Sequence, residues 1–271
     1  MLGKLIKHDF IATWKIPVSI DAALIILSIL TAIVLQAVPQ IDDSIGMSIF
    51  TFSFVGLFYI GIIAANVVTI VYLVIRYYRN LYTSEGYLTF TLPVKTDMII
   101  HSKVITGTVW VFLSYLCTII SLLIAGLGLF NTIDVPREDI IDTLREIGSV
   151  IGFSEPGFTG ILVLTFIITP VSTVLSMYFC VSIGQLWQNH KVLGAVLCII
   201  GLYIINQLVS QFAFMGSGFY NLMLSQEADI DLAFGRVYRN MLLIINIIVL
   251  IQSIIYYMVC LIISRKKLNL D

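Results

Sequence analysis

Few residues in this sequence have the types and spacings that catalysis or metal binding needs. The chain has no Gly-x-x-x-x-Gly-Lys-Ser/Thr, no His-Glu-x-x-His and no Gly-x-Ser-x-Gly. These absences exclude a P-loop ATPase, a zincin protease and the usual serine-hydrolase elbow. The histidines, His8, His101 and His190, lie at the edges of apolar segments, where interfacial solvation explains them better than metal ligation. We therefore predict no catalytic residue and no metal site.

Ionisable and thiol side chains inside the apolar segments also offer little chemistry. Asp21 stands alone there, and a carboxylate at the bilayer centre costs about 2.5–3.5 kcal/mol on insertion scales. We expect Asp21 to reach the interface, to pair with Lys15 or to bond a neighbouring helix. The four cysteines lie in apolar runs and are not close in sequence, which favours buried thiols over a disulfide or a metal site.

Composition indicates which elements must position these residues. Apolar residues make up 59% of the 271, charged residues 11%, and mean hydropathy is +1.02. Soluble domains carry roughly 25% charged residues, so lipid must solvate this chain. We predict an all-α integral membrane protein, a single transmembrane domain over residues 1–271. Six segments reach the roughly 20 apolar residues that a spanning helix needs: 18–38, 49–75, 104–130, 159–184, 192–214 and 241–263.

Lys and Arg are distributed unequally between alternate loops, which predicts the orientation. One side carries eleven of them and the other side four, Arg137, Arg145, Arg236 and Arg239. The positive-inside rule therefore places both termini in the cytoplasm. Eleven acidic residues in the external segments agree with this orientation.

Three segments outside the spans have a predicted structure. Residues 1–16 carry Leu2, Ile6, Phe10 and Trp14 at four-residue spacing, which predicts an interfacial amphipathic helix with its lysines towards lipid headgroups. Pro17 is expected to end that helix. The external loops are 131–158, with an amphipathic helix near 137–147, and 215–240, which is long enough for a short helix or a re-entrant element.

The loop between spans two and three, residues 76–103, has the most specific pattern. Gly86 allows a break after a helical extension of span two, and Pro93 prevents a continuous helix. Thr96 and Asp97 suit the start of the next helix. We predict a helix, a compact turn and a second helix that project from the cytoplasmic face.

The stretch EGYLTFTLPVKTDMIIHSKVI, Glu85 to Ile105, resembles the loop between spans two and three of permease subunits of type-2 ABC transporters. The family pattern is Glu-Gly-x-Leu, then Leu-Pro-x, then a Lys that opens the third helix. The matching residues are Glu85, Gly86, Leu88, Leu92, Pro93 and Lys103. The start MLGKLIKHDF and the six-span topology extend the resemblance over nearly the whole chain.

The resemblance implies a permease without ATPase chemistry of its own. Its cytoplasmic loop would be a coupling helix seated on a separate ATPase subunit, which holds the ATP and Mg²⁺, whereas this chain binds no cofactor. The residues expected to contact or position that subunit are Glu85, Gly86, Leu92, Pro93 and Lys103. The expected partners are ABC ATPase subunits, a second permease chain and the lipid bilayer of a bacterial cell membrane, with no nucleic acid.

Neutral polar residues at membrane depth are candidates for a transport pathway. In the family that this chain resembles, spans two and five line the central route, which suggests Asn66, Asn206, Gln207 and Gln211 as pathway residues. Hydrogen bonding between packed helices is the simpler explanation for each of them. Gly61 and Ala65 are spaced for close helix packing.

The function predicted from these features is an ATP-driven exporter of an amphipathic cargo, which is a peptide, a drug or a lipid. A membrane sensor or immunity protein that binds a peptide through its acidic external loops is the main alternative. An ATP-independent carrier is the last alternative. Such carriers are expected to show internal repeats or broken helices with ionisable residues at the midplane, and no repeat is visible in this sequence.

Overall fold

The computed structural model describes the following residues: 2–37, 45–83, 86, 94, 96–130, 138, 141–142, 145, 148, 157–187, 190–224 and 230–266. All regular structure in these ranges is α-helical. The helices whose bounds the described ranges give are α1 Leu2–Thr13, α2 Lys15–Ala37, α3 Ile45–Tyr82, α4 Thr96–Phe130, α5 Phe158–Gly184, α6 Lys191–Leu224 and α7 Ile230–Lys266.

Helices α2 to α7 are each long and apolar enough to cross a membrane. Helices satisfy their own backbone hydrogen bonds, which a hydrocarbon environment demands. The predicted fold class, an all-α membrane protein with six spans, is therefore confirmed. The described parts of the chain divide into two compact units, Met1–Asp134 with α1 to α4 and Val135–Asp271 with α5 to α7.

Two helices are much longer than a bilayer is thick. Helix α3 has 38 residues and α4 has 35, so at 1.5 Å per residue they extend about 57 Å and 52 Å, against about 30 Å of hydrocarbon. Helix α3 continues to Tyr82 and α4 begins at Thr96 with Asp97 in its first turn. The predicted helical extensions into the 76–103 loop are thus confirmed.

Two predicted boundaries differ from the structure. The break between the N-terminal helix and span one falls at Trp14 rather than Pro17, and Pro17 lies buried in the first turn of α2, where its missing N–H costs little. The predicted external loop 215–240 is mostly helical, since α6 runs to Leu224 and α7 begins at Ile230. Most of the predicted helix near 137–147 lies outside the described residues.

In the first unit, α4 contacts each of the other three helices. The apolar core of this unit consists of Leu24, Phe58, Ala65 and Ala125. The small residues permit close approach, because a Cβ on Gly61 would meet Leu27 Cδ2 at 2.6 Å. The expected packing role of Gly61 and Ala65 is consistent with these contacts. In the second unit, α5, α6 and α7 all contact one another.

A close backbone approach at Gly128 in α4 gives a stability prediction. A Cβ on Gly128 would lie 2.7 Å from Ala32 Cα and 2.9 Å from Ala32 O, and backbone atoms cannot rotate away. We expect Gly128→Ala to lower the free energy of unfolding by about 1–3 kcal/mol. Gly126→Ala is the matched control, because nothing lies within 4 Å of its Cβ position. Thermal unfolding in detergent measures both variants, and equal midpoints would contradict the contact.

Candidate functional site

One face of α4 carries most of the polar contacts of the first unit. We call this set the polar face of α4: Ser102, Thr106, Trp110, Ser114 and Thr118. Side chains four residues apart lie above one another on a helix, so the five form a continuous stripe. All of them except Thr118 are buried. All of them except Thr106 form a hydrogen bond with a side chain of another helix.

The carboxylate of Asp9 in α1 bonds the cytoplasmic end of this stripe. Ser102 Oγ donates to Asp9 Oδ2 at 2.9 Å, and the Lys103 ammonium forms an ion pair with Asp9 Oδ1. The side chains of Asp9 and Lys103 are only 10% and 11% exposed. The pair therefore lies in a partly desolvated setting, where leaving either partner alone is costly.

Three further contacts hold the last turn of α1. Trp110 Nε1 donates to Thr13 Oγ1 at 3.0 Å, and the rings of Phe10 and Trp110 stack with centroids 4.6 Å apart. Arg76 Nη1 donates to the carbonyl of Ala12 at 2.9 Å. A cation at the last turn of a helix also favours its dipole. Helix α1 therefore packs on α4 through polar side chains together with Phe10, one residue of the apolar line.

Asp21 meets the polar face three turns further along. Ser114 Oγ donates to Asp21 Oδ1 at 2.7 Å, and Thr69 Oγ1 lies 3.5 Å from the same hydroxyl. Asp21 is 6% exposed, and among the described residues no Lys or Arg forms an ion pair with it. Of the three expectations for Asp21, the bond to a neighbouring helix is the one observed.

Asn66, a predicted pathway residue, also bonds within the first unit. Its Nδ2 donates to the carbonyl of Ile62 at 2.9 Å and to Thr118 Oγ1 at 3.0 Å. Its Oδ1 is buried without a hydrogen-bond partner in the described part of the chain. The amide nitrogen therefore joins α3 to α4, while the oxygen remains able to accept one more donor.

Of the three predicted pathway residues in the second unit, one bonds a neighbouring helix and two are exposed. Asn206 Oδ1 accepts a hydrogen bond from Gln252 Nε2 at 3.1 Å, which joins α6 to α7. Gln207 and Gln211 are exposed. Asn206 is thus used in helix packing, whereas Gln207 and Gln211 point away from the helices of their own unit.

The residues predicted to couple to an ATPase are only partly described. Gly86 is buried and helical, and its N–H donates to the carbonyl of Thr83, one residue beyond the end of α3, at 2.8 Å. Glu85, Leu92 and Pro93 lie outside the described residues. Lys103 lies two turns inside α4, and its ammonium is bonded to Asp9. Lys103 therefore holds α1 in place.

Sequence reasoning missed Asp9. The available signal was that Asp9 and Thr13 are four residues apart and so share a helical face.

Within the described residues, the four cysteines are free thiols and no cluster of His, Cys, Asp or Glu fits a metal ion.

Comparisons with protein-family models, curated proteins and solved structures find no match to this chain. The fold therefore defines the class, an all-helical multi-pass membrane protein.

The Asp21–Ser114 contact predicts how this carboxylate responds to substitution. Asp21→Asn keeps an oxygen that accepts from Ser114 and removes the charge, so we expect an unchanged or higher unfolding temperature. Asp21→Ala leaves the buried hydroxyl without its acceptor and should cost about 1–3 kcal/mol. Thermal unfolding in detergent compares the two variants. An Asn variant as unstable as the Ala variant would show that the negative charge itself is needed.

Proposed function

We propose that this protein is the transmembrane permease subunit of a type-2 ABC exporter in a cell membrane, driven by a separate ATPase. The observation that carries the proposal is the geometry around residues 76–103. Both flanking helices, α3 and α4, are longer than the hydrocarbon layer is thick, and their ends on the predicted cytoplasmic side are bonded to α1. Such rigid stems suit a loop that receives force from a partner.

The sequence of the loop supports the same proposal. The family pattern that this loop resembles has a Gly directly after the Glu, and the matching Gly86 donates its N–H to Thr83 O just beyond the end of α3. Glu85 offers a carboxylate to a basic residue of the ATPase. Because this chain has no P-loop, ATP and Mg²⁺ would be bound by the partner and not by this protein.

A second permease chain is the other partner that we propose. Only 6% of the apolar stretch of α6 is buried, against 22–28% for the other five spans. Gln207 and Gln211 lie exposed on this helix. Amides that face lipid are unfavourable, and interhelical hydrogen bonds relieve that cost. We infer that a second copy of this chain covers this face, and that the paired subunits form the route for an amphipathic cargo.

Co-purification tests the ATPase contact. The tagged wild-type chain, extracted from its native membranes in mild detergent, should carry a P-loop ATPase that mass spectrometry identifies. The Glu85→Arg, Pro93→Ala double variant should lose the ATPase. The first substitution reverses the charge of the loop at residue 85, and the second removes the backbone restriction that Pro93 imposes. Glu138→Arg, an exposed charge reversal in a predicted external loop, is the control and should retain the ATPase.

The alternatives give different results in this experiment. Recovery of the ATPase with the double variant would place the contact elsewhere and keep the family. Absence of any ATPase from the wild type, under conditions that preserve other membrane complexes, would reject the permease and favour a sensor or a carrier.

The exposed amides of α6 predict the effect of apolar substitution on assembly. Gln207→Leu with Gln211→Leu should weaken self-association at least tenfold, since it removes two interhelical hydrogen bonds that are each worth about 0.6–2 kcal/mol. Single-molecule photobleaching in nanodiscs counts the subunits. Gln252→Leu makes the same change at an amide that bonds within the unit, and should lower stability without lowering association. Equal dimer fractions in all variants would contradict a second copy at these amides.

A further inference from the structure

Helix α1 is held from both sides of the 76–103 loop. Arg76, in α3, is the first residue of that loop, and its guanidinium donates to the carbonyl of Ala12 at 2.9 Å. Lys103, in α4, is the last residue, and its ammonium forms the ion pair with Asp9. The two cations that border the loop in sequence therefore bind the same short helix. We call these two contacts the α1 clamp.

The C-terminal part of α1, which carries these contacts, is joined to the first span by a single residue. Only Trp14 separates α1 from α2, and backbone hydrogen bonds cross this residue on both sides. Trp14 N donates to Phe10 O and Val18 N donates to Trp14 O, each at 3.1 Å. A displacement of α1 is therefore delivered to α2, because a hydrogen-bonded helical connection resists changes in length.

We propose that α1 transmits movement of the α3 and α4 ends to the first span, and that Asp9, Arg76 and Lys103 are the positioning residues for this transmission. This inference rests on the proposed function, since an ATPase must move the loop. It reassigns Lys103, which would act through Asp9 rather than by touching the ATPase.

The chemistry of the clamp suits this role. Ser102 and Lys103 satisfy the two carboxylate oxygens of Asp9 separately, so the side chain has one defined position. Trp110 bonds Thr13 and stacks on Phe10, which prevents α1 from rotating about the ion pair. In contrast, Lys4, Lys7 and His8 are exposed on the other side of α1. The charged residue that bonds α4 is therefore distinct from those on the exposed side of α1.

Hydrogen exchange with mass spectrometry can test the transmission directly. The full chain with its co-purified ATPase is reconstituted in nanodiscs and compared with and without ATP, Mg²⁺ and vanadate. In the wild type we expect nucleotide-dependent changes in peptides covering 76–103 and also 2–25. In Asp9→Asn the change should remain in 76–103 and fall at least fivefold in 2–25. The Lys103→Met variant should behave in the same way, and Lys103→Arg should restore the wild-type response.

Two further variants separate transmission from simple stability. Lys7→Met removes a lysine of the same length from the exposed side of α1 and should respond as the wild type does. Arg76→Met breaks the other half of the clamp and should reduce the response in 2–25 while ATPase co-purification persists. In the chain alone, Asp9→Asn should speed exchange of residues 5–13 at least tenfold relative to Lys7→Met.

The possible outcomes distinguish this inference from the proposed function. Nucleotide-dependent changes that still reach 2–25 in Asp9→Asn, at wild-type size, would overturn the inference and leave the permease intact. An unchanged exchange rate of residues 5–13 in the chain alone would overturn it as well. Failure of the wild type to recover any ATPase would reject the proposed function itself.

Discussion

Polar side chains that enter the hydrocarbon layer must find partners inside the protein, and in the first unit α4 supplies most of them. Its polar face bonds Asp9 and Thr13 of α1, Asp21 of α2 and Asn66 of α3. Apolar contacts alone discriminate poorly between helices in lipid, because the tails are as apolar as leucine. The hydrogen bonds therefore decide which helices pack together and in which register.

The ion pair at the cytoplasmic end of this stripe has a different consequence from the neutral contacts. A partly buried pair adds little net stability, since desolvation offsets most of the Coulomb attraction. Its effect is to favour one position of α1, because Ser102 and Lys103 bond different oxygens of Asp9. The same contact connects the short N-terminal helix to α4, the long helix that follows the 76–103 loop.

In the second unit too, hydrogen bonds between polar side chains join the helices, but two of its amides are exposed. Asn246 donates to Thr165 at 2.8 Å and Gln252 to Asn206 at 3.1 Å, so α7 bonds both α5 and α6. Gln207 and Gln211 have the same amide chemistry and stay exposed. The exposed amides are the basis for the proposed contact with a second chain, whereas the bonded amides are explained by folding.

The sequence by itself determined the class, the number of spans and the helical stems of the loop. These follow from local properties, namely apolar length, helix-start residues and the positions of Gly86 and Thr96. Composition also required that Asp21 and Asn66 be satisfied somewhere. Only the tertiary structure decided where, because their partners are 93 and 52 residues away.

Asp9 shows the limit of the local pattern most clearly. Within 1–16 it is one charged residue among lysines, and the apolar line suggested a lipid-facing helix without it. Its partner Lys103 is 94 residues away, and it was expected to serve the ATPase. Periodicity reveals which residues share a helical face but not which helix that face will meet. That choice depends on the pairing of polar groups across helices, which exists only once the chain has packed.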